Sequence, residues 1–172
     1  LTDAGRTTLA GLGVVDVIDL RAPFEVASTG QDAVGPEIAV HAAPIMPGAQ
    51  LAGQAAQAPD PSQLQTFVEL LKEPGFAHEF MAQLYREMVT DPASVAALGA
   101  GMRVIAESSG AVLVHCTAGK DRTGVLVGLV ATLAGAKSED IEADFLYSNH
   151  AQDEQTQILP PIPGLDPALL AP

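Results

Sequence analysis

Residues 110–135 contain the feature that most restricts the fold of this chain. GAVLVHC (110–116) predicts a short apolar strand, and TGVLVGLVATLAG (123–135) predicts a helix that is apolar almost all round. A strand without polar alternation is typical of a parallel sheet covered on both faces, and such a helix is expected to be central and buried. VVDVIDL (14–20) has the same strand character. The sequence therefore predicts an α/β domain with a central, mostly parallel sheet and helices on both faces.

The other segments fit a single domain, residues 1–172, around this sheet. A helix is predicted before the first strand, and IAVHAAPI (38–45) is a weaker strand candidate. Residues 22–37 are expected to be a loop, because Pro23, Gly30, Gly35 and Pro36 interrupt them. Further helices are predicted at 62–73, 76–89, 92–108 and 138–149, and no regular element from 155 onward.

Residues 47–61, PGAQLAGQAAQAPDP, are rich in Ala, Gln and Pro and show no apolar period. This composition is typical of a flexible surface excursion. A lid over a functional site is the alternative interpretation, because long loops often carry function.

Charge and composition exclude several classes of function. Eight Lys and Arg against 21 Asp and Glu give a formal charge of −13, so nucleic acid is not an expected partner. No apolar run reaches the ~18 residues of a transmembrane segment, and a single cysteine cannot form an internal disulfide. No export signal is visible, but the chain starts at Leu1, so we expect a trimmed sequence from either a cytoplasmic or a secreted protein.

The loop between the strand and the helix, HCTAGKDRTG (115–124), contains the only cysteine and is predicted to bind an oxyanion such as phosphate. Backbone amides at a helix N-terminus converge on one point and attract anions. Arg122 adds a guanidinium fork that fits two oxygens of a phosphate. The predicted phosphate-binding residues are Thr117, Ala118, Gly119, Lys120, Asp121 and Arg122.

Cys116, at the base of this loop, is the candidate nucleophile. Amide dipoles and Arg122 are expected to make it a thiolate near neutral pH, suited to in-line attack on phosphorus with a cysteinyl-phosphate intermediate. Thr123 is predicted to donate its hydroxyl to the sulfur, and His115 to hold the loop by hydrogen bonding. Asp121 is expected to donate a proton to the leaving oxygen and then to accept one from water. Neither a metal nor a cofactor is expected.

HCTAGKDRTG resembles the phosphate-binding loop of cysteine-dependent protein tyrosine phosphatases, especially the atypical bacterial PtpB-like (LipA-like) branch. LTDAGRTTLAGLGVVDVIDLR and IEADFLYSN also resemble that branch. The resemblance implies a cysteine-phosphatase-like fold and hydrolysis of phosphotyrosine, with phosphoserine, phosphothreonine or phosphoinositide monoesters as an extension. It implies Cys116 as nucleophile, Arg122 as phosphate clamp, and Lys120 with Asp121 as the branch's additional pair. Members of this family are usually longer at both ends.

One departure leaves the general acid open. The chain has no Trp and therefore lacks the Trp-Pro-Asp acid loop of conventional tyrosine phosphatases. Asp121 is the first candidate, and Asp19, at the end of the neighbouring strand, is the second. Arg21 is expected either to reach the site or to pair with Glu25. Two other functions stay open: a phosphate-recognition module without catalysis, and a sulfurtransferase with its cysteine on a similar loop.

Overall fold

The computed structural model of the protein describes residues 1–46, 69–70 and 72–155. The predicted excursion at 47–61, most of the helix predicted at 62–73 and the stretch from 156 onward lie outside the described residues. The described elements are, in chain order, α1 (Asp3–Gly11), β1 (Val14–Asp19), α2 (Pro23–Thr29), β2 (Ala39–Ala42), α3 (Phe76–Thr90), α4 (Pro92–Glu107), β3 (Ala111–His115), α5 (Asp121–Leu133) and α6 (Ser138–Gln155).

Three parallel strands in the order β2-β1-β3 form the described sheet. In the register, Asp19 lies opposite Ala42 on one side and opposite His115 on the other. The carboxyl ends of all three strands therefore meet at one edge, where ligands bind in open α/β sheets. The predicted parallel sheet is confirmed, and so is the weaker strand candidate at 38–45.

The core has one part on each face of the sheet, because successive side chains of a strand point to opposite faces. Ile18 and Leu20 are fully buried and pack with Met88, Leu98 and Leu126 from α3, α4 and α5. On the other face, the buried set consists of Val14, Val17 and Ile38, which pack with Leu9 of α1. The predicted covering of both faces by helices is confirmed.

The predicted loop at 22–37 is wrong in its first half, where α2 spans Pro23–Thr29. Pro23 is the first helical residue, a position at which its missing N–H is not needed. Glu25 accepts a hydrogen bond from the backbone N–H of Ala22 at 2.7 Å and so caps the helix it belongs to. Proline at this position starts the helix rather than breaking it.

The prediction that α5 is a central buried helix holds for only one side of the helix. Leu126 is its fully buried residue, whereas Val127 is 39% and Leu133 77% exposed. α5 packs on β3, α4 and α6, and a cavity of about 250 Å³ opens beside it, with Lys120, Gly128 and Ile141 among its lining residues. An apolar composition all round therefore does not bury the whole helix against the described residues.

Within residues 1–46 and 72–155, no helix combines the length and the hydropathy needed to cross a bilayer.

Candidate active site

The candidate site lies where β3 ends and α5 begins. Cys116 follows the last residue of β3 and is 7% exposed, and α5 starts five residues later at Asp121. Gly119 has a φ of 69°, a left-handed conformation that a side chain would strain. The glycine thus permits the turn that folds the loop back over the cysteine.

The surroundings of the Cys116 thiol favour its charged form. Burial raises the pKa of the thiol, but contacts from Thr123, the backbone N–H groups of Thr123 and Gly119, and the charge of Arg122 together lower it below the ordinary value. A thiolate is the reactive form of cysteine. The amides and the guanidinium that stabilise the thiolate are also groups that bind an oxyanion.

The Thr123 hydroxyl lies near the Cys116 thiol. Its Oγ1 is buried and makes no fully formed hydrogen bond to any residue that the structure describes. It still lies close enough to the sulfur to lower the thiol pKa. A buried hydroxyl without a partner is costly, so we expect it to complete this hydrogen bond when the sulfur carries its charge.

Arg122 forms a two-point ion pair with Glu25 of α2. Its Nη1 lies 2.5 Å from Oε2 and its Nη2 lies 2.8 Å from Oε1, and both side chains are 16% exposed. The Glu25 carboxylate also accepts a hydrogen bond from the Thr117 hydroxyl. Hydrogen bonds from Arg122, opposed by burial and reinforced by Thr117 and the Ala22 N–H, lower the pKa of Glu25 to about 2. Glu25 therefore stays a carboxylate at any ordinary pH.

Arg21 does not pair with Glu25, because it lies in a separate charged cluster. Its Nε and Nη2 donate to the two carboxylate oxygens of Asp19 at 2.9 and 2.8 Å, and Nη2 lies 3.0 Å from Asp32. Burial raises the pKa of Asp19, but the hydrogen bonds and charge of Arg21 outweigh it and lower the pKa below the usual value.

His115 links this cluster to the loop. One ring nitrogen lies 2.9 Å from Asp32 and the other 3.1 Å from the backbone oxygen of Cys116. His115 therefore connects Asp32 to the first residue of the loop.

Asp19, Asp32 and His115 bring potential metal-ligand atoms within 4.8 Å of one another. The guanidinium of Arg21 already bonds both carboxylates, so a cation would have to displace a well-placed positive charge. The chemistry of this cluster fits an ion-pair network better than a metal site.

Asp121, the first residue of α5, accepts a hydrogen bond from the hydroxyl of Tyr85 in α3. Burial and the neighbouring Asp121 raise the pKa of Tyr85, so the tyrosine keeps its proton and acts as the donor. The charge of Cys116 contributes to the same shift, so Tyr85 lies close to both the thiol and Asp121. Asp121 is thereby fixed at the edge of the candidate site.

The structure brings the loop residues Cys116, Gly119, Arg122 and Thr123 together, whereas Asp19 and Arg21 bond chiefly to each other. Sequence reasoning missed three side chains at the site, namely Glu25, Tyr85 and Asp32. Only Glu25 carried a usable signal. A proline at the first helical position and an acid two residues later are typical of a helix start. That pattern would have placed a carboxylate just beyond the carboxyl end of β1.

Comparisons with known proteins agree with this geometry. The family model described as "Tyrosine phosphatase family" matches residues 1–162. The chain is 37% identical over 163 residues to the triple specificity protein phosphatase PtpB of Mycobacterium tuberculosis. The matched region covers 87% of this chain and 57% of that protein. This chain is also 33% identical over 157 residues to a tyrosine-protein phosphatase of Nostoc commune, and that matched region covers 90% of this chain and 47% of that protein.

The chain thus spans about half the length of the curated relatives it matches. The family match extends over the sheet, the thiol-bearing loop and the Glu25–Arg122 pair. The chain belongs to the tyrosine phosphatase family, in its PtpB-like branch.

Proposed function

We propose that the chain hydrolyses phosphate monoesters, with phosphotyrosine in proteins as the first substrate, through a cysteinyl-phosphate at Cys116. One observation carries this proposal. A buried thiol of lowered pKa shares a seven-residue loop, 116–122, with the guanidinium of Arg122. A nucleophile and an oxyanion site on one loop are what phosphoryl transfer to sulfur requires.

In the first step, the Cys116 thiolate attacks phosphorus in line with the ester oxygen. The P–S bond forms while the P–O bond to the substrate breaks, and Asp121 gives its proton to the departing oxygen. The loop amides and Arg122 stabilise the charge on the three remaining phosphoryl oxygens.

In the second step, water attacks the phosphorus of the cysteinyl-phosphate and transfers a proton to the Asp121 carboxylate. The P–S bond breaks, inorganic phosphate leaves and the thiolate is restored. The Thr123 hydroxyl stabilises the sulfur as it regains its charge. Neither step calls for a metal or a cofactor.

The contacts of the two candidate acids support Asp121 over Asp19. Both oxygens of Asp19 accept hydrogen bonds from Arg21, and the lowered pKa of Asp19 keeps it ionised. An acid that must donate a proton needs an oxygen that is able to carry one. Asp121 accepts from Tyr85 through Oδ1, which leaves Oδ2 for this purpose.

The substrate range is proposed to extend beyond phosphotyrosine to phosphoserine, phosphothreonine and phosphoinositide monoesters. The M. tuberculosis relative is named a triple specificity protein phosphatase, which supports a wide range.

The first experiment compares wild-type protein with Cys116→Ser on an activated aryl phosphate and on a phosphotyrosyl peptide. Wild type should release phosphate from both substrates, and the variant from neither. The variant should still bind vanadate, because the loop amides and Arg122 are unchanged. Turnover that persists in Cys116→Ser contradicts the mechanism, and vanadate binding without wild-type turnover identifies a recognition module instead.

A second experiment identifies the acid by comparing Asp121→Asn with Asp19→Asn, a matched pair of charge-neutralising changes. Asp121→Asn should lower kcat by roughly 10²- to 10⁴-fold for a poor leaving group and much less for an activated one. Asp19→Asn should show no such dependence on the leaving group. The reverse pattern assigns the acid to Asp19.

A further inference from the structure

We propose that the cavity beside α5 is a substrate subsite, which takes a basic side chain, arginine or lysine, close in sequence to the phosphotyrosine. The proposal rests on the proposed function of the phosphate loop and names a preferred class of phosphopeptide for it. The cavity has a volume of about 250 Å³ and is lined by residues of the loop, of α5 and of α6.

The cavity begins at the phosphate loop. Gly119 and Lys120 belong to the loop and also line the cavity, and so does Thr123, the first residue after the loop. Contacts from Gly119 and Thr123 to Cys116 lower the pKa of its thiol. The same residues therefore border both the reacting sulfur and the cavity, so a peptide bound at Cys116 is able to continue into it.

Two helix faces form the walls of the cavity. On α5, Gly124 and Gly128 lie one turn apart and leave a strip without side chains. A Cβ at Gly124 would lie 2.6 Å from the Phe145 ring, and one at Gly128 would lie 3.5 Å from Ile141. The order of these contacts shows that α6 runs antiparallel to α5. The walls are thus mainly apolar, which suits the methylene stem of a long basic side chain.

Asp140 and Asp144 supply the charge that selects the occupant. They lie one turn apart on α6, both line the cavity, and both are exposed. Carboxylates in this place attract a cation and repel additional phosphate groups. Asp140 belongs to the first turn of α6, where the helix dipole already favours a negative charge. Asp144 lies beyond that turn, so we expect it to contribute more to binding the cation.

The geometry of α5 sets the spacing between phosphate and cation. Because the helices are antiparallel, Asp144 is level with the part of α5 between Gly124 and Gly128. At 1.5 Å per residue, that part lies roughly 6–12 Å along the helix from Lys120. An extended peptide advances about 3.3 Å per residue. A basic residue two to four positions from the phosphotyrosine therefore fits.

The size of the cavity limits what it can hold. Pockets for drug-sized ligands measure about 300–1,000 Å³. A volume of about 250 Å³ is below this range and suits one side chain. A gap filled only by water would give no preference among peptides, and a contact with a second copy of the chain would give a dimer.

The test uses pairs of phosphotyrosyl peptides that differ in one residue, Arg or Gln, at the second, third or fourth position on either side of the phosphotyrosine. In wild type, kcat/KM should be about two- to fivefold higher for the Arg peptide in at least one pair, the effect of one exposed ion pair. High salt should reduce this ratio.

The variants Asp140→Asn, Asp144→Asn and their combination locate the ion pair. The Arg/Gln ratio should fall toward 1 in the double variant, with most of the loss already present in Asp144→Asn. Glu142→Gln is the matched control, because Glu142 is exposed on the same helix and does not line the cavity. It should keep the wild-type ratio.

A ratio near 1 for every pair in wild type overturns the proposal, as does a ratio that persists in the double variant. A wild-type dimer that the double variant disrupts, without any preference among peptides, assigns the cavity to a second copy of the chain and also overturns it. Wild type that releases no phosphate from any peptide refutes the proposed function instead. The subsite is then decided by peptide binding to Cys116→Ser, where an Arg preference in Kd that requires Asp140 and Asp144 supports it and equal Kd values overturn it.

Discussion

Thr123→Val should raise the pKa of the Cys116 thiol, because it removes one of the contacts that lower it. Valine has nearly the same shape as threonine, so the packing at the start of α5 is retained. The change deletes the hydroxyl, whose oxygen is buried and lacks any other hydrogen-bond partner among the described residues.

The size of the effect follows from the strength of one hydrogen bond to a charged sulfur. Hydrogen bonds to charged groups contribute about 1.5–3 kcal/mol, and the incomplete geometry of this one indicates the lower end. One pKa unit corresponds to about 1.4 kcal/mol, so the thiol pKa should rise by about one unit. As the pH falls, the Thr123→Val variant should therefore lose its thiolate at a higher pH than wild type does.

The assay is titration of the thiolate by its ultraviolet absorbance, supported by the rate of alkylation at each pH. Cys116 is the only cysteine in the sequence, so the signal has a single source. Thr132→Val is the matched control, since the exposed hydroxyl of Thr132 bonds the Gly128 carbonyl on the same helix. An identical titration midpoint in Thr123→Val and wild type would refute the proposed contact.

Three further predictions concern stability and are measured by denaturant unfolding. The lowered pKa of Glu25 adds stability that is complete above about pH 4.5 and is lost as the pH falls toward 2. Wild type should therefore lose about 1 kcal/mol more than Glu25→Gln between pH 6 and pH 3.5, and equal losses would contradict the ion pair with Arg122. Gly124→Ala should cost about 1 kcal/mol despite its better helix propensity, because the new Cβ would lie 2.6 Å from the Phe145 ring; a stabilised variant would contradict the close approach of α6. Leu126→Ala, at a fully buried position, should cost about 2–5 kcal/mol, and a loss below 1 kcal/mol would contradict its place in the core.

Local patterns in the sequence were sufficient to predict the sheet and the loop. The valine-rich segments around Val17 and Leu113 have no polar alternation, and this predicted buried parallel strands correctly. The Cys116–Arg122 spacing, between a strand and a helix, located the candidate site. These features depend on neighbours a few residues apart, which a sequence displays directly.

The errors and omissions arose where distant residues decide the structure. Glu25 meets Arg122 across 97 positions, and Tyr85 meets Asp121 across 36, so neither contact appears as a local pattern. Of the two alternatives for Arg21, the pairing with Glu25 is not formed, because Arg21 bonds Asp19 two residues before it. The burial of α5 was overestimated because composition does not reveal which side of a helix the neighbouring elements cover.

The central claim is that the phosphoryl group of the substrate is transferred to the sulfur of Cys116. Acid quenching of the protein during turnover tests this claim most directly. The variant Asp121→Asn and an activated aryl phosphate suit this measurement, because the first step then needs little help from the acid while hydrolysis of the intermediate is slowed. Mass spectrometry of the digested protein should find a phosphoryl group on the peptide containing Cys116, and more of it in Asp121→Asn than in wild type. Turnover without any phosphorylated Cys116 peptide, or with the phosphoryl group on another residue, would contradict the mechanism.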